Sequence, residues 1–295
     1  MSFHSIEAIV NVSNNEKKKF WEVILKDDCM ERDVTPEESI QGMEHMWQSM
    51  LDATYSYDRN LLSASGLVGK EGGLMEDYVK AGDTLSGEFS AKAIARALQM
   101  GGSNACMKRI VAAPTAGACG VMPAVLTTYY EEKKASKEDI VHALYVGAGI
   151  GQVIAHRAFI AGAAGGCQAE VGSASAMAAG ALVALRGGSA EQISNACAIA
   201  LKNLLGLVCD PVAGLVEVPC VKRNAVGAVN ALAAADMALA GVTSAIPADQ
   251  VIDAMRAVGE SMDTGLRETG EGGLAATPKG REVARRLRGL ADVDA

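Results

Sequence analysis

Aromatic side chains are scarce in this chain. Phe, Trp and Tyr together make up 4% of its 295 residues, with two Trp and four Phe. Sheets draw on β-branched and aromatic residues, and no stretch of useful length alternates apolar with polar positions, so an all-β architecture is excluded. A basic excess is missing too. The formal net charge is −8 and the isoelectric point about 5.1, which argues against a nucleic-acid partner. The one basic cluster, residues 279–288, has Glu282 interleaved and reads as the solvated face of a helix. No Cys-x-x-Cys pair exists, which speaks against a zinc ribbon or a thioredoxin-like site. No signal peptide is visible, because MSFHSIEAIV runs straight into charged residues. The most membrane-like run, residues 225–246, contains Asn230 and Asp236 and is mostly Ala, so it is expected to be a buried core helix rather than a membrane span. The seven cysteines are odd in number and lack a secretory context. They point to a reducing, cytoplasmic setting and not to a disulfide framework.

Small residues are what the chain has in quantity. Gly occupies 32 positions, Ala is frequent, and a 49% hydrophobic against 21% charged composition is that of a globular protein. Small side chains let helices approach closely, and the length is ample for a real core. We expect an all-α fold: one large helical domain over residues 1–295, with buried Ala/Gly-rich helices in its middle. The only candidate boundary, the glycine-rich stretch at 66–87, is not taken as one. Residues 16–29 form an amphipathic segment with Phe20, Trp21, Ile24 and Leu25 on one face. Thr35-Pro36-Glu37-Glu38 combines an N-cap, a proline at the first helical position and a capping-box Glu. The helix it opens is expected to reach about Tyr57, with Met43, Met46, Trp47, Met50 and Leu51 as a core stripe. Residues 60–83 break the pattern. Ser90 is expected to cap a helix ending near Gly101 and Gly102. Ser136 with Asp139, and Ser189 with Gln192, predict capping boxes, the first for a helix through about Ile160 and the second for one ending at Gly206. Helices are further expected at 224–240 and 247–262, then a glycine-rich loop at 262–280 and the basic helix. His142 and His156 lie on one helix and are expected on its polar face.

The most unusual stretch is residues 204–224, LLGLVCDPVAGLVEVPCVKRN. Proline fixes φ, removes a donor and restricts its predecessor, so Pro211 and Pro219 make this an irregular segment between helices. It is apolar, hence buried, and a buried non-helical backbone needs partners for its polar groups. Its Cys209 and Cys220 are either inert core thiols or site residues, and the segment alone leaves both open. Cys167, in GAAGGCQAEVG, shares this irregular, apolar setting. Cys29, Cys106 and Cys197 have ready structural explanations, and Cys119 is ambiguous. Three thiolates suit three irons of a [4Fe–4S] cluster, with the fourth iron open as a Lewis acid. The small-residue loop at 112–120 opens a helix and is either a carboxylate-holding loop or a close-packed turn.

The blocks GCQAEVGSASAMAAGAL, NLLGLVCDPVAGLVEVPCVKRN, APTAGACGVMPAVL and LRETGEGGLAATPKG closely resemble the bacterial iron–sulfur L-serine dehydratases, and among them the α subunit of the two-chain type. The resemblance implies an all-helical catalytic fold, a [4Fe–4S] cluster on Cys167, Cys209 and Cys220, and conversion of L-serine to pyruvate and ammonia without pyridoxal phosphate. Single-chain members carry an additional β-containing domain with a Ser-Ser-His-Thr segment. That segment is not found here, so a separate β subunit is expected, in a homo- or hetero-oligomer without nucleic acid or membrane. Some members end in a cysteine that reaches the cluster. This chain ends RGLADVDA, and that self-inhibition is not expected. For the substrate carboxylate the first candidates are Thr115 with the N–H groups around Ala116 and Gly117, then Ser65 and Gly66. Arg223 or Arg267 would supply the cation. Lys70, Glu170, Lys222 or a partner residue would be the base. An L-cysteine desulfidase and a non-catalytic iron–sulfur protein remain the alternatives.

Overall fold

The computed structural model describes residues 2–289. Among them are thirteen α-helices and no strand, so the all-α expectation holds. The helices are α1 (Ile6–Glu16), α2 (Phe20–Arg32), α3 (Pro36–Tyr55), α4 (Glu71–Lys80), α5 (Glu88–Ala105), α6 (Val121–Lys133) and α7 (Lys137–Arg157). They continue with α8 (Gly162–Gly165), α9 (Ser173–Leu185), α10 (Ala190–Lys202), α11 (Cys220–Leu239), α12 (Ala248–Ser261) and α13 (Pro278–Leu287). No helix among the described residues is long and apolar enough to cross a membrane. The terminal segment on which the expectation about self-inhibition falls lies outside the described residues.

The centre of the molecule is α9, SASAMAAGALVAL, buried at every position from Ser173 to Val183. A helix apolar all round belongs in a core. It is enclosed by α6, α7, α10 and α11. Its small side chains set how near those neighbours come: a Cβ on Gly180 would strike Ile150 of α7. The same closeness recurs at the start of α6, where a Cβ on Gly120 would stand 2.7 Å from the Ala97 carbonyl of α5 and 2.9 Å from Asn224 Oδ1 of α11. The capping boxes at Thr35, Ser136 and Ser189 all form, because each hydroxyl accepts from the third helical N–H while the third residue reaches back. Helix α1 is capped from a distance: Asp249 Oδ1 and Oδ2 accept from Ile6 N at 2.8 Å and Glu7 N at 3.0 Å.

Several boundaries differ from expectation, each for a local reason. Residues 60–83 hold α4, whose Gly72 leaves no room for a side chain against Gln99 of α5. Ser90 lies inside α5 rather than capping it; Gly87, at φ 74°, makes the turn and the helix starts at Glu88. That helix runs through Gly101 and Gly102 to Ala105, since the glycines serve close packing against Val221 and Gly69 and not termination. Helix α10 stops at Lys202, and α11 starts at Cys220, four residues earlier than expected. His142 stacks on Trp21 at 3.6 Å, and His156 lies against His4 at 4.0 Å, so both imidazoles have aromatic partners.

Gly120→Ala tests the close-packed core directly. The nearest obstacle is backbone, which cannot swing away, so the substitution is expected to cost about 1–3 kcal/mol, as overpacking does, read as a lower urea midpoint. An unchanged midpoint would mean that α5, α6 and α11 are not packed this tightly.

Candidate active site

Three segments meet around the cysteines. The first opens at Cys167, where one π-turn, Gln168–Gly172, leads directly into α9. A π-turn re-aims side chains within a helix and recurs at functional sites; here it carries Glu170. The second is the irregular stretch after α10, which bears Cys209, a short 3-10 turn at Val212–Gly214, and then Cys220 as the first residue of α11. Of the three cysteines expected on loops, only Cys209 is on one; Cys167 and Cys220 begin helical runs. The third segment is the glycine-rich loop after α12. It runs beside Cys209: Cys209 N donates to Leu266 O at 2.8 Å, and Glu268 N donates to Cys209 O at 2.7 Å. These bonds form an isolated parallel bridge between Cys209 and Arg267.

Buried polar side chains tie the segments together. Asp210 Oδ2 accepts from Leu274 N at 2.8 Å, and Oδ1 lies 2.9 Å from Arg223 Nη2. Gly273, at φ 54°, sits so close to this carboxylate that a Cβ would overlap it. Arg223 Nη1 donates to Val208 O at 2.6 Å. Asn224, fully buried, accepts from Gly120 N at 2.8 Å and donates to Gly117 O at 2.8 Å and Cys220 O at 3.0 Å. The cysteine stretch is thereby bound to α6, α11 and the glycine-rich loop.

The three thiols are free, buried and within reach of one another's charge. Burial pushes Cys167 up to about 11, against the opposing pull of Arg223. Burial, then Cys167 and Glu170, push Cys220 up to about 12. Cys209 is also raised, by burial first and then by Cys167, Glu170, Glu268 and Cys220. Glu170 lies among them. Its carboxyl is raised by burial, an effect opposed by the Thr115 hydroxyl, which donates to Oε1 at 2.7 Å, and reinforced by Glu268. Two glycines make its slot: a Cβ on Gly117 would lie 2.8 Å from Oε1. A Cβ on Gly162 would lie 2.8 Å from Oε2 and 2.9 Å from Cys209 Sγ. No set of three His, Cys, Asp or Glu side chains among the described residues closes on a single point, as one metal ion would require.

The remaining candidates divide. Thr115, Ala116 and Gly117 adjoin Glu170, in a loop with a cis Ala113–Pro114 bond. Arg267 is at the Cys209 bridge, half-buried, and its guanidinium has no hydrogen bond or ion pair among the described residues. Arg223, by contrast, is committed to Val208 and Asp210. Ser65 and Gly66 belong to a second locus. Glu217, buried, accepts from Ser63 Oγ at 3.0 Å and from Ser65 Oγ. Gly66 N donates to Ser63 O, Leu67 N to Ser65 Oγ, and Gly69 N to Glu71 Oε2. Both serine hydroxyls of this loop and its N–H groups from Gly66 to Gly69 are thus already taken. Lys222 is exposed and paired with Glu71 at 2.5 Å, and Lys70 is exposed at the start of α4. Of the three candidate bases only Glu170 is among the cysteines.

Sequence reasoning missed Asp210, Glu217, Asn224 and Glu268. Asp210 and Glu217 had a signal, as lone acids in an apolar run that had to be buried and partnered. Glu268 had none beyond its place in a glycine-rich loop.

Residues 11–275 match the family model described as "Serine dehydratase alpha chain". The chain is 46% identical over 287 residues to the "Probable L-serine dehydratase, alpha chain" of Bacillus subtilis (strain 168), covering 97% of this chain and 96% of that one. It is 43% identical over 283 residues to the "L-serine dehydratase, alpha chain" of Peptoniphilus asaccharolyticus, covering 96% and 97%. It is also 46% identical over 181 residues to "L-serine dehydratase 1" of Escherichia coli (strain K12), covering 61% of this chain and 40% of that longer one.

Arg223→Ala separates bracing from substrate binding. It would strand the Asp210 carboxylate and the Val208 carbonyl in the interior, and breaking a buried pair in this way costs about 3–5 kcal/mol. Urea unfolding of the substrate-free protein is expected to register that loss. A residue whose only partner is the substrate would leave it unchanged.

Proposed function

The chain belongs to the serine dehydratase alpha chain family, and from that membership we propose that it converts L-serine to pyruvate and ammonia together with a separate β chain. The observation that carries the reading is the meeting of three buried free thiols with a desolvated carboxylate that has no ion-pair partner among the described residues. We further propose that Cys167, Cys209 and Cys220 hold a [4Fe–4S] cluster. The donor set fits: thiolate sulfur is the ligand such clusters use. A single ion needs all its ligands within about 2.3 Å of one point, whereas a cubane spreads its irons over separate corners and does not ask the thiols to converge. The burial that raises all three thiols is reversed by bound metal, which takes them as thiolates.

When bound, a cluster with one iron free of cysteine supplies a Lewis acid that draws charge from the departing hydroxyl. The chain's own residues do the rest. The N–H groups of Ala116 and Gly117 and the unpaired guanidinium of Arg267 meet the substrate carboxylate, charge-assisted in the second case. Arg223 holds Asp210 and so keeps the Cys209 strip and the glycine-rich loop in register. Glu170 accepts the Cα proton at Oε2, while Oε1 stays fixed by the Thr115 hydroxyl. Loss of that proton and of hydroxide leaves 2-aminoacrylate, which tautomerises to the imine. Water then releases ammonia and pyruvate. A β chain as partner is supported by the alpha-chain names of the two full-length relatives, and by the longer Escherichia coli protein, of which this chain accounts for 40%.

Replacing Cys167, Cys209 or Cys220 by Ser is expected to abolish both iron-linked visible absorption and pyruvate formation, in anaerobically prepared protein assayed with its partner chain. Cys197→Ser, in the regular helix α10, is expected to keep both. Full pyruvate formation by an iron-free triple variant would end the cluster assignment, and no pyruvate from an iron-loaded complex would end the dehydratase assignment.

A further inference from the structure

The carboxylate of Glu170 rests on a loop, and one buried amide holds that loop in place. Thr115 Oγ1 donates to Glu170 Oε1 at 2.7 Å. The carboxylate as a whole lies against Gly117: a Cβ there would stand 2.8 Å from Oε1, 3.0 Å from Oε2 and 3.1 Å from the carboxyl carbon. A shift of Gly117 therefore moves both oxygens. Within residues 115–117 every carbonyl has a partner. Thr115 O accepts from Ala118 N at 3.3 Å, and Ala116 O accepts from Cys119 N at 3.2 Å and from Asn104 Nδ2 at 3.3 Å. Gly117 O accepts from Asn224 Nδ2 at 2.8 Å.

Asn224 is 1% exposed, and its amide is fully engaged with main chain. Besides Gly117 O, Nδ2 donates to Cys220 O at 3.0 Å, four residues back on α11, and Oδ1 accepts from Gly120 N at 2.8 Å. Two carbonyls need donors and one N–H needs an acceptor, so the amide has a single orientation. It grips the loop at Gly117 and again at Gly120, on either side of Ala118 and Cys119. The grip is close: a Cβ on Gly120 would lie 2.9 Å from Asn224 Oδ1. Asn224 makes no hydrogen bond to Glu170, so it reaches that carboxylate through Gly117.

We propose that Asn224 is a positioning residue for removal of the Cα proton, because through Gly117 it sets where the Glu170 carboxylate stands. This rests on the reading of Glu170 as the base for L-serine. A base must lie within hydrogen-bond reach of the proton it takes, and a small displacement of either partner lowers the rate steeply. Thr115 fixes Oε1, and the Gly117 backbone fixes the face on which both oxygens lie. Asn224 in turn fixes that backbone. The side chain itself is enclosed and has no donor left over for a substrate, so its loss bears on the step in which hydrogen leaves.

L-serine and L-serine deuterated at Cα test this in the iron-loaded complex with its partner chain, each rate being divided by the iron content of the preparation. Asn224→Ala is expected to lower kcat per loaded chain at least about tenfold, within the range that a misplaced reacting group costs. KM is expected to rise by less than kcat falls, because Arg267 still meets the substrate carboxylate. The deuterium effect on kcat is expected to exceed one and to be no smaller than that of the wild type, since hydrogen removal is the slowed step. Asn224→Ser keeps a hydroxyl that can donate to Cys220 O, four residues back, while losing both loop bonds. It guards against a folding defect and is expected to show the same signature. An unchanged kcat per loaded chain, with only less iron bound, overturns the proposal in favour of bracing alone. A raised KM with kcat kept overturns it too, as does a deuterium effect below that of the wild type. If the wild-type complex forms no pyruvate, the dehydratase assignment falls and takes this role with it. If the wild type turns over and the variants match it per loaded chain, the role of Asn224 alone falls.

Discussion

One buried ion pair, Asp210 with Arg223, keeps the cysteine segments in a common frame. The strip that bears Cys209 and the glycine-rich loop beside it have no helix or sheet to supply partners for their backbone groups, and buried groups must find them. Arg223 takes the Val208 carbonyl, and Asp210 takes the Leu274 N–H. Desolvating two charges can exceed the gain from pairing them. This pair is better understood as setting geometry than as adding stability, because each partner satisfies a different loop. Asn224 does the neutral equivalent one residue on, joining Gly117, Gly120 and Cys220. Consecutive residues of α11 thus hold the two sides of the site.

Helix packing explains where the site lies. Helix α9 is wholly enclosed, and its approach to α7, α10 and α11 is set by small side chains, so its entry cannot shift much. The π-turn ahead of it then fixes Cys167 and Glu170 on a rigid support. Cys220 begins α11, a 20-residue helix. Two of the three thiols therefore stand at helix starts, where the macrodipole favours negative charge, by about 0.3–1 kcal/mol at exposed positions and up to ~2 kcal/mol when partly buried. Burial still wins at both, which is why the two thiols are raised. The helix ends lessen that penalty without reversing it.

The helical architecture was legible because its signals are local. Capping boxes at Thr35, Ser136 and Ser189, and apolar periodicity in the early helices, need only neighbours in sequence. The errors came from glycines whose purpose is contact. Gly101 and Gly102 look like a helix end, yet α5 runs through them because α11 and Gly69 press against them from elsewhere. The cysteines stood out through their proline and glycine surroundings, but Pro219 marked a helix start where a loop was expected. The distant pairings were not legible. Nothing local joins Asp210 to Leu274, or Cys209 to the strip at Leu266–Glu268; a resemblance to a family supplied the cysteines proposed as ligands, and only the folded chain supplied the partners around them.

The two loops considered for a carboxylate, first that at Thr115 and then that at Ser65, are not equivalent, and the reason is electrostatic. The 63–69 loop gives both its serine hydroxyls and the Gly69 N–H to two acids, Glu217 and Glu71, and is fastened on both sides of Cys220, by Glu217 before it and by the Lys222–Glu71 pair after it. The loop at Thr115 gives its hydroxyl to Glu170 alone, and the uncommitted Arg267 is on the strip bridged to Cys209. The 63–69 loop instead braces the segment around Cys220, through Glu217 and through the Glu71–Lys222 pair.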